Sequence, residues 1–365
     1  MNVPQEAARN DEQSDSHDSG YLVKTLSPGD EARWDKFVVN STAGTFYHLS
    51  GWKSIIENAL HHRTFYLQCE YDGRLRAILP LAQVKSLLFG NALISIPFLV
   101  YGGPIADSQL AEKIIVREAI ELANNLQVDY LELRNLVPLN IDEHDDDWHR
   151  NDSYVTFRKR LLPDPEKNLA AIPRKQRAMI RKGIKAGLKA ESDTDIGRLY
   201  TALLECKRNL GTPFFGRRYL RSIYETFPNH AEILTVTHKG KTVSSVMSFR
   251  FRNEILPYYG GGGEMARYLK GNDFLYWSLM ERACQSGIDV FDYGRSMVGS
   301  GAYRFKKHWG FDETPLAYYH HLVASKSVPQ LNPSNPKYRF LINRWKQLPL
   351  PLARILGPPI ARRLG

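Results

Sequence analysis

The stretch Ile233-Leu-Thr-Val-Thr-His-Lys-Gly-Lys-Thr-Val-Ser-Ser-Val-Met-Ser-Phe-Arg-Phe251 reads as a β-hairpin. Runs rich in Val, Ile, Thr and Phe flank a reversal at Lys239-Gly240, the composition that strands and a tight turn favour. Before it, Gly211-Thr-Pro-Phe leads into a helical pattern from Tyr219 to Phe227. After it come a strand from Ile255 to Tyr259, the glycines Gly260 to Gly263, a helix over Phe274 to Gln285, and Ile288-Asp-Val-Phe-Asp-Tyr. The first half runs through the same order. Gly44-Thr-Phe precedes a helix carrying Trp52, Ile55, Ile56 and Leu60. Tyr66-Leu-Gln-Cys-Glu, a turn at Asp72-Gly73 and Ala77-Ile-Leu-Pro-Leu-Ala make the hairpin. Ile94 to Tyr101, Gly102-Gly103, a helix over Ile114 to Leu126 and Val128-Asp-Tyr-Leu-Glu-Leu complete the set. Gly44 and Gly211 lie 167 residues apart, as do Gly73 and Gly240; Glu132 and Asp292 are 160 apart. Such self-similarity predicts an α/β (α+β) fold of two tandem units, each a mixed sheet flanked by helices.

Length and composition agree. A chain of 365 residues with 43% hydrophobic residues can build two cores at roughly 100–200 residues per domain. The expected division is an acidic, disordered segment over 1–20, a first unit over 21–162, a linker and basic helix over 163–190, a second unit over 191–325, and a basic tail over 326–365. Pro163 to Pro173 punctuates the linker and opens a helix from about Arg174 to Lys189. There Ile180, Ile184 and Leu188 form one stripe beside a cationic arc. Cys69, Cys206 and Cys284 are widely separated, which argues against a disulfide framework or a cysteine zinc site. The first twenty residues lack the basic start and apolar run of a signal peptide. No apolar stretch is long enough to cross a bilayer. A cytoplasmic protein is expected.

The net charge of +10 is concentrated. From Thr314 to the end there is no Asp or Glu, and Lys167 to Lys189 holds eight Lys or Arg. An anionic partner is therefore expected: a phosphate-bearing substrate, RNA or a lipid surface. Arg174, Arg177 and Arg181 share one helix side and can present guanidinium groups together in a cleft between the units. In the tail, Leu348, Leu350, Leu352, Ile355 and Leu356 could anchor in acidic lipid. Pro349, Pro351, Pro358 and Pro359 are expected to preclude one long helix there. His61-His62 and His320-His321 face apart as neighbours and show no carboxylate partner, so no metal is expected.

The densest group of reactive side chains is Phe291-Asp-Tyr-Gly-Arg-Ser-Met-Val-Gly-Ser-Gly-Ala-Tyr-Arg-Phe-Lys-Lys-His-Trp-Gly-Phe311. Asp292 ends a strand, glycines allow a tight loop, Arg295, Arg304, Lys306 and Lys307 supply cations, and His308 titrates near neutrality. Acyl transfer to an amine needs such parts: a proton acceptor, an oriented nucleophile and a positive group near the developing oxyanion. Tyr258, Tyr259 and Gly260 to Gly263 read as a strand end opening a flexible site loop, with Tyr101-Gly102-Gly103 as its first-half counterpart. Glu132 and Arg134 correspond to Asp292 and Arg295 and read as a structural salt bridge.

This segment resembles the last motif of FemAB-like acyltransferases, in which a "DF-G" strand precedes a "G-x-x-x-FK-x-x-x-GF" stretch. Pro173-Arg-Lys-Gln-Arg-Ala-Met-Ile-Arg-Lys is similar to that family's arginine-rich segment, and the resemblance covers about 21–325. Val84-Lys-Ser-Leu-Leu-Phe-Gly-Asn-Ala-Leu-Ile-Ser-Ile-Pro-Phe and Leu331-Asn-Pro-Ser-Asn-Pro-Lys-Tyr resemble a branch that accompanies exosortase/PEP-CTERM systems and exopolysaccharide gene clusters. The resemblance implies two GNAT-like subdomains and N-acyl or aminoacyl transfer to an amine of an envelope or exopolysaccharide precursor. Lys306 inherits the role of the "FK" lysine, facing the reacting carbonyl or a terminal phosphate. Asp292 is the candidate for accepting the amine proton or orienting the amine, with Tyr259 and His308 as further candidate bases. Arg174, Arg177, Arg181, Arg295, Tyr303, Gly260 and Gly261 are the expected binding residues. No tightly bound cofactor is expected; the donor is a cosubstrate that stays open among acyl-CoA, acyl-carrier protein and aminoacyl-tRNA. The competing reading is a catalytically silent GNAT-like module that binds nucleic acid or anionic membrane through its basic helix and tail, with Trp345 between Arg344 and Lys346 as an exposed aromatic.

Overall fold

The structure is a computed structural model and describes residues 20–86, 90–140, 147–327 and 336–364. The expected disorder of the opening segment and most of the acidic run near 142–147 lie outside the described residues. Two sheets carry the fold. The first has the order Tyr21–Thr25, Arg63–Tyr71, Arg74–Ser86, Gly90–Ser95, Tyr130–Asn135, Ala317–Leu322, Trp148–Asn151. The second runs Ser296–Met297, Tyr154–Arg160, Val290–Asp292, Glu254–Gly262, Lys241–Phe251, Ala231–His238, Lys189–Asp193.

The duplication is built into the backbone. Asp72 and Gly73 have φ of 49° and 69°, and Lys239 and Gly240 have 50° and 75°. Both hairpins therefore turn through two left-handed residues, the geometry whose twist suits antiparallel strands. Each also carries a β-bulge three residues before the turn, between Cys69 and Glu70 and between Val236 and Thr237. In both units the hairpin is followed by a parallel pair: Gly90–Ser95 with Tyr130–Asn135, and Glu254–Gly262 with Val290–Asp292.

Sheet membership departs from the expected boundaries at 162 and 325. Tyr154–Arg160, from the first half, inserts into the second sheet against Val290–Asp292. Ala317–Leu322, from the end of the second, inserts between Tyr130–Asn135 and Trp148–Asn151 in the first. Each unit thus completes the other's sheet. Their cores are also continuous: Phe46 lies 4.8 Å from Phe227 and 4.6 Å from Phe249, and Trp52 lies 5.2 Å from Phe227, ring centre to ring centre. Burying such aromatic pairs gives both area and about 0.5–1.5 kcal/mol of ring-ring attraction each.

Three local expectations are corrected. Gly260 to Gly262 are not a flexible loop but part of strand Glu254–Gly262, paired with Ser244 to Val246. Their lack of a side chain serves close packing. A Cβ on Gly261 would meet Cys206 at 2.9 Å, and one on Gly263 would meet the Glu205 carboxyl at 2.0 Å. The basic helix spans Arg174–Lys185 and buries Gln176, Ile180 and Gly183, while Ile184 is 52% exposed. Gly183 seats the helix on Phe274, which would lie 2.9 Å from an added Cβ. In the tail the chain does break at Pro349, between helices Pro336–Lys346 and Leu350–Ala361, but the second helix runs on through Pro358 and Pro359. Both prolines fall in its last turn, where the amides they lack would have bonded the carbonyls of exposed Arg354 and Ile355, and water can take that place.

Candidate active site

The parallel strands at the centre of the second sheet part early. Glu254 pairs with Val290 and Ile255 with Phe291, and the ladder ends there. One strand continues to Gly262 along its hairpin partner, whereas the other stops at Asp292 and turns through Gly294, whose φ of 69° suits glycine. Asp292 therefore stands at the mouth of a splay between two strands.

Its carboxyl group is buried and heavily ligated. The Gly294 amide donates to Oδ1 at 2.6 Å, the Thr156 hydroxyl at 3.1 Å and the Tyr101 hydroxyl at 3.3 Å, while Arg158 lies 3.8 Å from Oδ2. Burial nevertheless pushes the carboxyl above its ordinary pKa, only partly offset by Arg158, these hydrogen bonds and Lys306. Such a group accepts a proton more readily than an exposed aspartate.

Lys306 comes from helix Gly301–Lys307, whose start is capped by the Ser300 hydroxyl accepting from the Tyr303 amide at 3.1 Å. Its Nζ reaches back to donate to the carbonyls of Gly294 at 2.8 Å and Arg295 at 3.0 Å. Two of the three ammonium hydrogens are thus fixed and one remains free to meet a reacting group. Burial lowers its pKa to about 7; Asp292 opposes this, and Arg295 and Lys207 reinforce it. The Arg295 guanidinium lies over the ring of Tyr154 at 4.7 Å and of Tyr318 at 5.7 Å. Those two rings come from the two exchanged strands. Tyr303 packs edge-on against Phe157.

Other expected residues stand elsewhere. Tyr259 is buried and its hydroxyl pairs with that of Tyr219 at 2.9 Å; burial raises its pKa well above the ordinary value, so it is poorly placed and poorly tuned to act as a base. His308 is exposed at the end of its helix. Among the described residues neither side chain has a hydrogen bond or ion pair to the Asp292 or Lys306 side chain. Arg174, Arg177 and Arg181 do not line the cleft between the units: their helix packs on Gly271–Gln285, on the flank of the second unit. There Gln176 donates to Asp273 in the first turn of that helix, and the neighbouring Arg177 has its Nε buried without a hydrogen-bond partner among the described residues. Arg174 and Arg181 are exposed. Gly260 and Gly261 flank the splay, covered by Tyr276 and Cys206.

Sequence reasoning missed Thr156 and Arg158. They lie in the exchanged strand, where Val155 and Phe157 enter the core and the alternate positions face Asp292. That alternation was the available signal; the strand's destination was not. Between the units lies a cavity of about 420 Å³ with Asp292, Arg158, Tyr101, Tyr47 and Asn135 in its wall.

The first unit repeats the arrangement with a different outcome. Glu132 pairs with Ile94 at the corresponding ladder end, but Arg134 binds it, Nε to Oε1 at 2.9 Å, with both side chains buried. Despite burial, Arg134 and His320 hold the Glu132 pKa down to about 2.

Residues 174–307 match the family described as "Acetyltransferase (GNAT) domain", and the match begins at the basic helix. The structure is similar to FemX (13% identity, 88% of this chain and 100% of that one, TM-score 0.64). It is also similar to a tandem GNAT protein from the clavulanic acid biosynthesis pathway (13% identity, 84% and 100%, TM-score 0.54). A third similarity is to the L-PGS of Bacillus licheniformis (16% identity, 89% and 99%, TM-score 0.51). No curated protein matches the sequence. The fold is a duplicated GNAT fold, and the match to the acetyltransferase (GNAT) domain family lies in the basic helix and the second unit.

Proposed function

We propose that this protein transfers an acyl or aminoacyl group from an activated donor to an amine of a cell-envelope or exopolysaccharide precursor, at the parting of strands Glu254–Gly262 and Val290–Asp292. The observation that carries this reading is Lys306 Nζ, anchored on the Gly294 and Arg295 carbonyls beside the buried Asp292. The acceptor nitrogen attacks the acyl carbonyl carbon, and a carbon–nitrogen bond forms. The free Lys306 N–H meets the oxygen that becomes negative, a stabilisation realised more in the transition state than in the ground state. Asp292 takes the proton the nitrogen must shed. The carbon–sulfur or carbon–oxygen bond to the donor breaks, and the leaving group regains a proton as the site resets.

The GNAT fold generally takes acyl-CoA, which supports a donor with a diphosphate. Arg177, whose Nε has no hydrogen-bond partner among the described residues, and Arg174 supply a cationic flank for it on the helix that packs against Gly271–Gln285. Acyl-carrier protein and aminoacyl-tRNA offer phosphate to the same flank. Incubating the full chain separately with acyl-CoA, acyl-carrier-protein and aminoacyl-tRNA pools plus primary amines, and following donor loss by mass spectrometry, tests the reading. Consumption of one pool is expected; consumption of none, with amines in excess, contradicts it.

Among the described residues no helix is long and apolar enough to cross a membrane. A peripheral site on the cytoplasmic face of the membrane is supported by the C-terminal helices Pro336–Lys346 and Leu350–Ala361. The latter packs through Ala353, Gly357 and Ala361 and exposes Leu352, Ile355, Leu356 and Ile360 beside Arg354 and Arg363. Trp345, expected to be exposed, packs against the core instead, which weakens nucleic-acid stacking.

A further inference from the structure

Two residues in the wall of the cavity between the units, Tyr47 and Asn135, each carry a side-chain oxygen that no described residue bonds. Both atoms, Tyr47 Oη and Asn135 Oδ1, are buried. Leaving such a group unmade costs about 1–3 kcal/mol, and buried polar atoms in native proteins are rarely left so. Tyr47 is 2% and Asn135 5% exposed, so neither is solvated by the surface. The neighbouring His48 is by contrast fully engaged: its Nε2 lies 2.8 Å from the Gly103 carbonyl and its Nδ1 2.9 Å from the Thr45 hydroxyl. The unmet bonding capacity is therefore local to Tyr47 and Asn135.

The rest of the wall defines what would satisfy them. Phe46 and Phe249 offer ring surface, Arg158 a guanidinium, and Asp292 a carboxyl group. At about 420 Å³ the cavity lies within the range of about 300–1,000 Å³ usual for sites that enclose a small organic molecule. A ring with an apolar face, several hydroxyls and one amine matches each of these features: the face for the aromatics, the hydroxyls for Tyr47 and Asn135, the amine for Asp292. We infer that this inter-unit cavity is the acceptor site and that it takes an amino sugar with a free amine, its hydroxyls read by Tyr47 and Asn135. This deepens the proposed acyl transfer and rests on it for the role of Asp292, but the binding itself does not require turnover.

Binding measured without any donor separates the two. Calorimetric titration of the full chain with the β-1,4-linked glucosamine disaccharide is expected to show saturable binding. The N-acetylated disaccharide should bind at least tenfold more weakly, because its amine is gone. Tyr47→Phe removes only an atom that is unpartnered in the free protein, so it should leave the melting temperature unchanged or higher and weaken binding about tenfold. Asn135→Ala should weaken it similarly. Equal affinity for the free and N-acetylated sugars, no saturable binding by the wild type, or Tyr47→Phe and Asn135→Ala proteins that bind as the wild type does, each overturns the inference. Donor consumption in the presence of simple amines would survive any of those results and leave the acyl-transfer reading standing.

Discussion

Glu132 and Asp292 stand where the parallel pairing of equivalent strands stops in the two units, yet only Glu132 has an arginine two residues on that binds it, Arg134 Nε to Glu132 Oε1 at 2.9 Å. At the corresponding place after Asp292, the next basic residue, Arg295, stacks on Tyr154 and Tyr318. One carboxylate is thus held well below its ordinary pKa and the other is pushed above it. Duplication supplied two similar carboxylate positions, and one arginine position turned them into a structural ion pair and a candidate proton acceptor.

The two carboxylates should respond oppositely to neutralisation. Glu132→Gln leaves Arg134 buried without its counter-charge and should lower stability by about 3–5 kcal/mol. The Glu132 contribution is present above its ordinary value of 4.5 and lost as pH falls toward about 2, so the variant's deficit should shrink on acidification. Asp292→Asn should be neutral or stabilising at pH 7, because the raised pKa means that the ionised form is the disfavoured one, and it should abolish most turnover. Thermal melts across pH 2–7, paired with a donor-consumption assay, check both.

Lys306 makes a stability prediction of its own. With a folded pKa of about 7 against an ordinary 10.5, the unfolded chain holds a proton that the folded chain lacks between those values. Stability should therefore rise with pH across that window, and the full penalty should apply below about pH 7. Lys306→Met should melt at a higher temperature than the wild type at pH 7, with the gap closing toward pH 10. A constant gap would mean that the ammonium is solvated in the folded protein.

Much of this was legible in the sequence, and the exceptions share a cause. Both hairpins, the repeated order of elements and the Asp292–Lys306 segment follow from local signals: turn residues, strand composition and motif spacing. The strand exchange does not. Tyr154–Arg160 and Ala317–Leu322 carry no local mark of which sheet they join, so Thr156 and Arg158 could not be placed beside Asp292. Gly260 to Gly262 misled for a related reason, since glycine serves a turn and a close helix-to-strand approach equally well, and only the packing of Cys206 and Tyr276 distinguishes them.

Arg174 and Arg177 should act on donor affinity alone. Replacing both with Ala is expected to raise the donor KM several-fold at low ionic strength, with a smaller effect in 0.5 M salt, where screening is short-ranged. Turnover at saturating donor should change little. An unchanged KM at low salt would return these side chains to a solvated surface role.

The tail should bind acidic lipid weakly and reversibly. Flotation with phosphatidylglycerol vesicles should recover the full chain, and recovery should fall with Leu352→Gln/Ile355→Gln/Leu356→Gln, which alters exposed positions only. Recovery on neutral phosphatidylcholine should be low for both. Equal recovery of variant and wild type would remove the membrane role.

The central claim, that Lys306 stabilises the oxyanion of an acyl transfer beside Asp292, is tested most directly by the rate of donor consumption in Lys306→Ala. Removing one such hydrogen-bond donor typically costs about 10²–10³ in turnover. The variant should lose that much while still folding, because among the described residues the Lys306 Nζ bonds only the carbonyls of Gly294 and Arg295. Lys306→Arg should recover little, since a planar guanidinium cannot reproduce the ammonium's position between those carbonyls and the substrate. A Lys306→Ala protein that consumes donor at near wild-type rate would contradict the account.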